Sequence, residues 1–315
     1  MIKRLLAALL LAPSLALAQP NPSRPVRLIV PFPPGGTTDL IARVVQPKFQ
    51  EQLGQPVVIE NKGGAGGSIG AAEAAKSAPD GYTLLMVFDT HGVNHHLYKQ
   101  APDPFKTLEH LMLMVTSPST LVASADFPAA TLPELVARAK AEPGKLTYGS
   151  TGTGSSNHLG ALLLEQAAGI KMTHIPYKGG GPLVAAMLGK QVDMAFISTP
   201  LILSQIQAGK VKAIAVGGRQ RMAVLPDVPA AAETYPGFEQ ISWFGLLVPV
   251  GVPKDVSAKI HQAMQLTLAT PEVRKNLADR GFDVQASSPE EFLRFVRAES
   301  DKLGKLIRDS GIRVD

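Results

Sequence analysis

Cysteine is absent from the 315 residues. That excludes disulfides, thiolate-held metals and a cysteine nucleophile, and leaves the compartment open. Aromatic residues are scarce at 5%, with one tryptophan, so a core must rest on Leu, Val, Ile and Ala. No Lys/Arg block interleaved with aromatics is present, so a nucleic-acid partner is not expected. Missing too is an apolar run of the roughly 20 residues that a membrane-crossing helix needs.

One shorter apolar stretch, residues 5–17, is broken only by Pro13 and Ser14. It follows Lys3 and Arg4 and contains Ala16-Leu17-Ala18 near its end, the small-x-small pattern of a secretory signal. Residues 1–18 therefore read as a signal peptide cleaved after Ala18, and Gln19, not cysteine, after the cut argues against a lipid anchor. The expected product is a soluble periplasmic chain. Removing Lys3 and Arg4 from the 31 basic residues leaves 29 against 26 acidic ones, a small excess that suits an anionic ligand. At 45% hydrophobic, the chain can build one large or two ordinary domains.

Two segments share one design. Residues 26–30 read as a strand, followed by Pro31-Phe32-Pro33-Pro34-Gly35-Gly36-Thr37-Thr38 and a helical pattern from Asp39. Residues 145–148 read as a second, followed by Gly149-Ser150-Thr151-Gly152-Thr153-Gly154-Ser155-Ser156 and a helical pattern from Asn157. Such loops leave backbone N–H groups unpaired in the positive field of a helix N-terminus, which attracts anions. Plain capping, by Thr37 or Thr38 in one loop and Ser155 or Ser156 in the other, is the competing explanation.

Elsewhere short β-type runs alternate with helical ones. Strands are expected at 57–59, 82–88, 121–123, 194–197 and 211–216. Helices are expected at 40–49, 69–77, 132–140, 159–168 and 182–188, with Gly169 as a C-cap and Pro47 kinking or ending the first. From Val248 onward the pattern is mainly helical, at 256–268, 271–280 and 289–310. This alternation predicts an α/β fold with mostly parallel sheet, whose ligands would sit at the carboxyl ends of the strands.

Three signals resemble catalytic or cofactor sites. Gly66-Gly67-Ser68-Ile69-Gly70 fits G-x-S-x-G, but residues 62–67 separate Ser68 from its strand; a helix cap is the better reading, with a secreted serine hydrolase as the alternative. His91, His95 and His96 have zinc-compatible spacing yet no Glu between them, so a surface turn and helix start is expected and no metal site. Walker A and a clean G-x-G-x-x-G are both missing, so no nucleotide cofactor is expected.

Arg24-Pro25-Val26-Arg27-Leu28-Ile29-Val30-Pro31-Phe32-Pro33-Pro34-Gly35-Gly36-Thr37-Thr38-Asp39, followed by Gly54-Gln55-Pro56-Val57-Val58-Ile59-Glu60-Asn61 and Gly64-Ala65-Gly66-Gly67-Ser68-Ile69-Gly70-Ala71, resembles the Bug family. These are periplasmic solute receptors associated with tripartite tricarboxylate transporters. The likeness continues through Pro79-Asp80-Gly81-Tyr82-Thr83-Leu84, Pro143-Gly144-Lys145-Leu146-Thr147-Tyr148-Gly149-Ser150, Pro176-Tyr177-Lys178-Gly179, Leu225-Pro226-Asp227-Val228-Pro229 and Ser288-Pro289-Glu290-Glu291-Phe292. It implies a two-domain Venus-flytrap periplasmic binding protein fold, each domain a mixed, mostly parallel sheet flanked by helices. Domain 1 would comprise residues 19–120 and 219–315, and domain 2 residues 121–218. The implied role is non-enzymatic: a monomeric receptor without cofactor or metal that clasps a small aromatic or aliphatic carboxylate. It would serve membrane transporter subunits or, as an alternative, a sensor kinase.

The resemblance also implies a site. Phe32, Pro33, Gly35, Gly36, Thr37, Thr38 and Asp39 would receive one carboxylate through backbone N–H groups. Ser150, Gly152, Thr153, Gly154, Ser155, Ser156 and His158 would supply opposing hydroxyls and amides, although His158 alone reads equally as a packed helix residue. Tyr177 is a wall or phenol donor, or else core filler. Asp89, Thr90 and Asn94 should reach the cleft from domain 1, and Ser198 and Thr199 from the matching strand end of domain 2. Asp89 departs from relatives that carry a small or hydroxyl residue there; it would repel a second carboxylate or hold an amino, hydroxyl or cationic group. Asp193 is a candidate for contacting an ammonium, with a structural role the better reading. Neither loop contains arginine, so selection would rest on shape and neutral donors.

Overall fold

The computed structural model describes residues 24–312 and 314; the expected signal peptide and its expected cut after Ala18 lie outside the described residues. Strand β1 (Val26–Val30) is almost wholly buried, as a central strand of a covered sheet requires. Helix α1 (Thr37–Leu53) ends at Gly54, which takes the left-handed φ of 72° that glycine tolerates best. Pro47 lies inside α1 without ending it; its ring removes the partner of the Arg43 carbonyl, on a residue that is exposed.

Strand β2 (Val57–Asn61), helix α2 (Ser68–Ala75), strand β3 (Thr83–Phe88) and the short α3 (Asn94–Leu97) follow. Strand β4 (Leu108–Ser124) is 17 residues long, where the sequence pattern marks only 121–123. Helix α4 (Leu132–Ala141) opens on a capping box between Thr131 and Glu134. Then come β5 (Thr147–Ser150), α5 (Ser156–Ala168), β6 (Thr173–Pro176), α6 (Gly180–Leu188), β7 (Met194–Ser198), α7 (Thr199–Gln207), β8 (Val211–Val216) and α8 (Ala231–Thr234). Strand β9 (Ile241–Pro249) leads to α9 (Lys254–Ala269), α10 (Pro271–Ala278), β10 (Asp283–Val284) and α11 (Pro289–Ser310).

The strands form one sheet ordered β2-β1-β3-β9-β4-β7-β5-β6, with β8 and β10 both pairing to β4. Parallel pairs lie toward the two ends, β1 with β2 and β3, and β5 with β6 and β7. Between them β4 and β9 run antiparallel to their neighbours. The length of β4 explains how two halves share one strand: residues 108–118 pair with β9, and residues 119–124 with β7 and β8.

Each half has its own core. In the first, Leu28, Phe49, Met86 and Phe244 meet Met264 and Leu277 from the C-terminal helices. The opposite face of that half packs Trp243 against Phe292 and Val296. In the second half, Tyr148, Leu164, Phe196 and Ile214 lie on one face and Leu183, Ile197 and Ile202 on the other. A separate apolar cluster of Val93, Leu97, Leu159, Leu306 and Ile307 joins α3, α5 and α11, and so fastens the halves beside the strand crossing.

Candidate functional site: two loops and the contact between them

The first loop is shaped from behind. Gly36 is the N-cap of α1 and no side chain caps that helix, so neither Thr37 nor Thr38 does the capping. The first-turn amides therefore have no partner within the helix. Asp39 reaches back: its Oδ2 accepts from the Gly35 amide at 2.9 Å and from Arg43 Nε at 2.9 Å, and its Oδ1 accepts from Asn61 Nδ2 at 3.1 Å. Asn61 Nδ2 also donates to the Phe32 carbonyl at 3.0 Å. Burial alone would raise the Asp39 pKa, but Arg43, the Gly35 amide and Asn61 outweigh it and hold the carboxyl below its ordinary range. Asp39 is thus the brace of the loop, with both oxygens committed.

Pro33, Pro34 and Gly35 remain exposed, while Gly36, Thr37 and the Phe32 ring are half-buried. Phe32 stands edge-on to Phe88 at 5.7 Å. The Gly-rich segment after β2 packs against this loop so closely that a Cβ on Gly70 would come within 2.7 Å of Pro31 Cβ.

The second loop is also held by its own side chains. Ser150 Oγ lies 2.6 Å from His174 Nε2 and accepts from the Gly152 amide at 3.1 Å. The Gly154 amide donates to His158 Nδ1 at 2.9 Å, and Ser155 caps α5 by accepting from the His158 amide. Gly152 and Gly154 have φ of 134° and 75°, a path closed to most L-residues. Thr153 and Tyr177 stay half-buried, the Tyr177 ring packing on the second-half core. Ser198 Oγ is buried without a hydrogen-bond partner among the described residues.

Other expected residues are used differently. Thr90 Oγ1 and Asn94 Nδ2 both donate to the Gly66 carbonyl, at 2.8 and 2.9 Å, tying the Gly-rich turn to the end of β3. Asp193 Oδ2 accepts from the amide and hydroxyl of Thr147, the structural role expected of it. Thr199 Oγ1 bonds Thr120 Oγ1 at 2.7 Å. Asp89 Oδ2 accepts from Ser156 Oγ at 2.7 Å, which joins residues from the two halves. Gln240, which carried no signal in the sequence, donates to the same Ser156 Oγ at 3.1 Å.

Two expectations fail. Ser68 is not the cap of α2: Gly67 is, and Ser68 Oγ is buried with no partner among the described residues. His91 is no surface residue but is 6% exposed; its ring lies 5.8 Å from that of His110, which in turn meets Phe292 edge-on. Among the described residues no group of three or more His, Cys, Asp or Glu could hold a metal.

Comparison with known proteins fits this architecture. Residues 41–312 match the family model of the tripartite tricarboxylate transporter family receptor. A UPF0065 protein of Bordetella pertussis is 38% identical, covering 97% of this chain and 95% of its own. The periplasmic binding protein BugD is 36% identical with a TM-score of 0.85, over 93% of this chain and 99% of BugD. MatC from Rhodopseudomonas palustris, solved with bound malate, is 34% identical with a TM-score of 0.83, over 91% and 99% of the two chains. The protein therefore belongs to the tripartite tricarboxylate transporter receptor family, which includes the Bug proteins, and its two-half sheet is the two-domain Venus-flytrap fold of periplasmic binding proteins.

Proposed function

We propose that this protein is a periplasmic solute receptor that binds a small organic carboxylate between the β1–α1 and β5–α5 loops and serves a tripartite tricarboxylate-type transporter. The observation that carries the reading is the uncapped N-terminus of α1, whose preceding loop Asp39 and Asn61 hold through the Gly35 amide and the Phe32 carbonyl. A carboxylate there would find backbone donors in a fixed geometry, so ligand binding need not order the loop. Malate bound to MatC, a relative of matching fold, supports the ligand class.

In this reading Gly36, Thr37, Thr38, Thr153, Tyr177 and Ser198 face the ligand, while Asp39, Thr90, Asn94, Ser150 and His158 hold the loops in place. The domains divide at residues 120 and 218, the mature chain begins at Gln19, and the receptor acts as a monomer without catalysis. A hydrolase built on Ser68 finds no support, since its hydroxyl is buried and unpartnered among the described residues.

A thermal-shift screen of residues 19–315 against mono-, di- and tricarboxylates, aromatic acids and amino acids tests the reading. A ligand at 100 times its Kd adds about 2.7 kcal/mol, a shift of several degrees for a chain of this size. A carboxylate hit weakened by Thr38→Val supports the clasp; silence across all carboxylates sinks it.

A further inference from the structure

Asp89 sits where the two halves touch. It follows β3 in the first half, and the hydroxyl it accepts from, Ser156, is the first residue of α5 in the second. Gln240, at the entrance to the crossing strand β9, holds Ser156 from the far side. One turn along α5 Gly160 is required, because a Cβ there would lie 2.8 Å from Gln240 Cγ. The contact is therefore fitted across the gap by three separate segments.

Asp89 is only 6% exposed, as is Gln240. Asp89 Oδ1 and Gln240 Oε1 are both buried with no hydrogen-bond partner among the described residues, and both residues line one cavity of about 20 Å³, room for a single water. These are two acceptors with no protein donor. The cation at the rim, Lys302 on α11, donates instead to the Glu239 carbonyl and pairs with Glu299. A charged Asp89 would thus be buried with hydroxyl and amide donors but without a countercharge, which is unfavourable.

The surrounding charges do not rescue it. From α11, Glu299 adds repulsion. Ahead of β9, Glu239 is paired with Arg219. On the same turn as Asp89, buried His91 is held neutral, its pKa lowered to about 3. From α5 come Ser156 and the apolar Leu159 and Leu163, while His158 is turned to Gly154.

We propose that Asp89 is a positioning residue for cleft closure: the halves close on its carboxyl in the neutral form, so closing takes up one proton and opening releases it. Asp89 then belongs to the latch between the domains and not to the ligand's contacts. The proposal rests on the flytrap fold and is independent of which ligand is bound.

Opening would expose Asp89 and return it to the ordinary value of about 3.9. In the closed form burial pushes it well above that; Ser156, Ser242 and the Thr90 amide pull it back in part, and Glu299 adds to the rise. Closure is fully favoured below about 3.9, and the advantage is lost as pH rises through the closed-state value. Between these limits the closed-to-open ratio falls about tenfold per pH unit.

The lack of native cysteine allows a dye pair at Gln50→Cys on α1 and Lys140→Cys on α4, both exposed positions. Energy transfer in the ligand-free chain is followed from pH 8 to pH 5, with melting curves confirming that each variant is folded. Transfer should rise as pH falls. Asp89→Asn, whose amide replaces the proton and can donate to Gln240 Oε1, should stay high at every pH, and Ser156→Ala should be lower throughout. A flat curve in the parent chain, an Asp89→Asn curve that keeps the parent's slope, or a Ser156→Ala curve equal to the parent's overturns the proposal. No ligand is involved, so failure here leaves the receptor reading standing, and a failed ligand screen leaves this one.

Discussion

The imidazoles of His158 and His174 stack 3.8 Å apart with their planes only 6° from parallel, and each ring meets the second loop through a different atom. His174 Nε2 meets Ser150 Oγ, and His158 Nδ1 accepts the Gly154 amide. Because His158 Nδ1 is an acceptor, its proton must reside on Nε2, and a second proton would break the bond to Gly154. The loop therefore depends on a neutral histidine.

Replacing His158 with Ala should destabilise the fold by about 1–3 kcal/mol, since the Gly154 amide loses its partner and the ring its stack. His158→Asn, which keeps a side-chain acceptor, should recover part of that loss. Urea unfolding of the three chains checks the order; equal stability of Ala and Asn variants would show that the acceptor does not matter.

Acid should weaken the fold through buried imidazoles. Burial, followed by nearby positive charge, lowers His110 and His158 to about 4 and His91 to about 3. In the unfolded chain each returns to about 6.5, so stability is intact above that value and declines as pH falls toward 4. Melting temperatures between pH 7 and pH 4.5 should drop, and His110→Gln should reduce the slope without abolishing it.

Gly245 on β9 is a packing glycine: an added Cβ would overlap the Phe292 ring. Gly245→Ala should cost about 1–3 kcal/mol through overpacking, and Gly245→Ala with Phe292→Leu should regain some of it. Denaturant titration settles the matter, because additive losses in the double variant would mean the two positions do not compete for space.

Gly160→Ala tests the interdomain fit. The methyl would press on Gln240 Cγ, across the gap and not within one core, so domain stability should change little while ligand affinity falls about tenfold or more. Calorimetric titration with a carboxylate found in the ligand screen measures this, and unchanged affinity would mean the halves close elsewhere.

The elements that glycine and proline punctuate were legible: β1, β8 and α11 fall on the residues that the pattern marks. The crossing strands were not. β4 carries Pro118 and a polar run from Thr116 to Thr120, which breaks the apolar signal although residues 117–120 are buried. β9 runs through a buried Trp and Gly, a composition that carries no clear period.

The site shows the same division. Both loops could be found from glycines and hydroxyls, since backbone exposure at a helix start needs those residues. Which hydroxyls are already engaged could not be read, because Thr90, Asn94 and Ser156 find their partners 24, 28 and 67 positions away. Gln240 gave no signal, since one amide side chain before a strand looks like any surface residue.

The pairing of β3 with β9, which sets Leu85 beside Leu247, also constrains how the chain acquires its structure. The first half stays open along one edge until β9 arrives, late in synthesis, and contacts of such long sequence separation form slowly. A chain built this way can complete its first half only after most of its length has been made, so β9 also times the closing of that half.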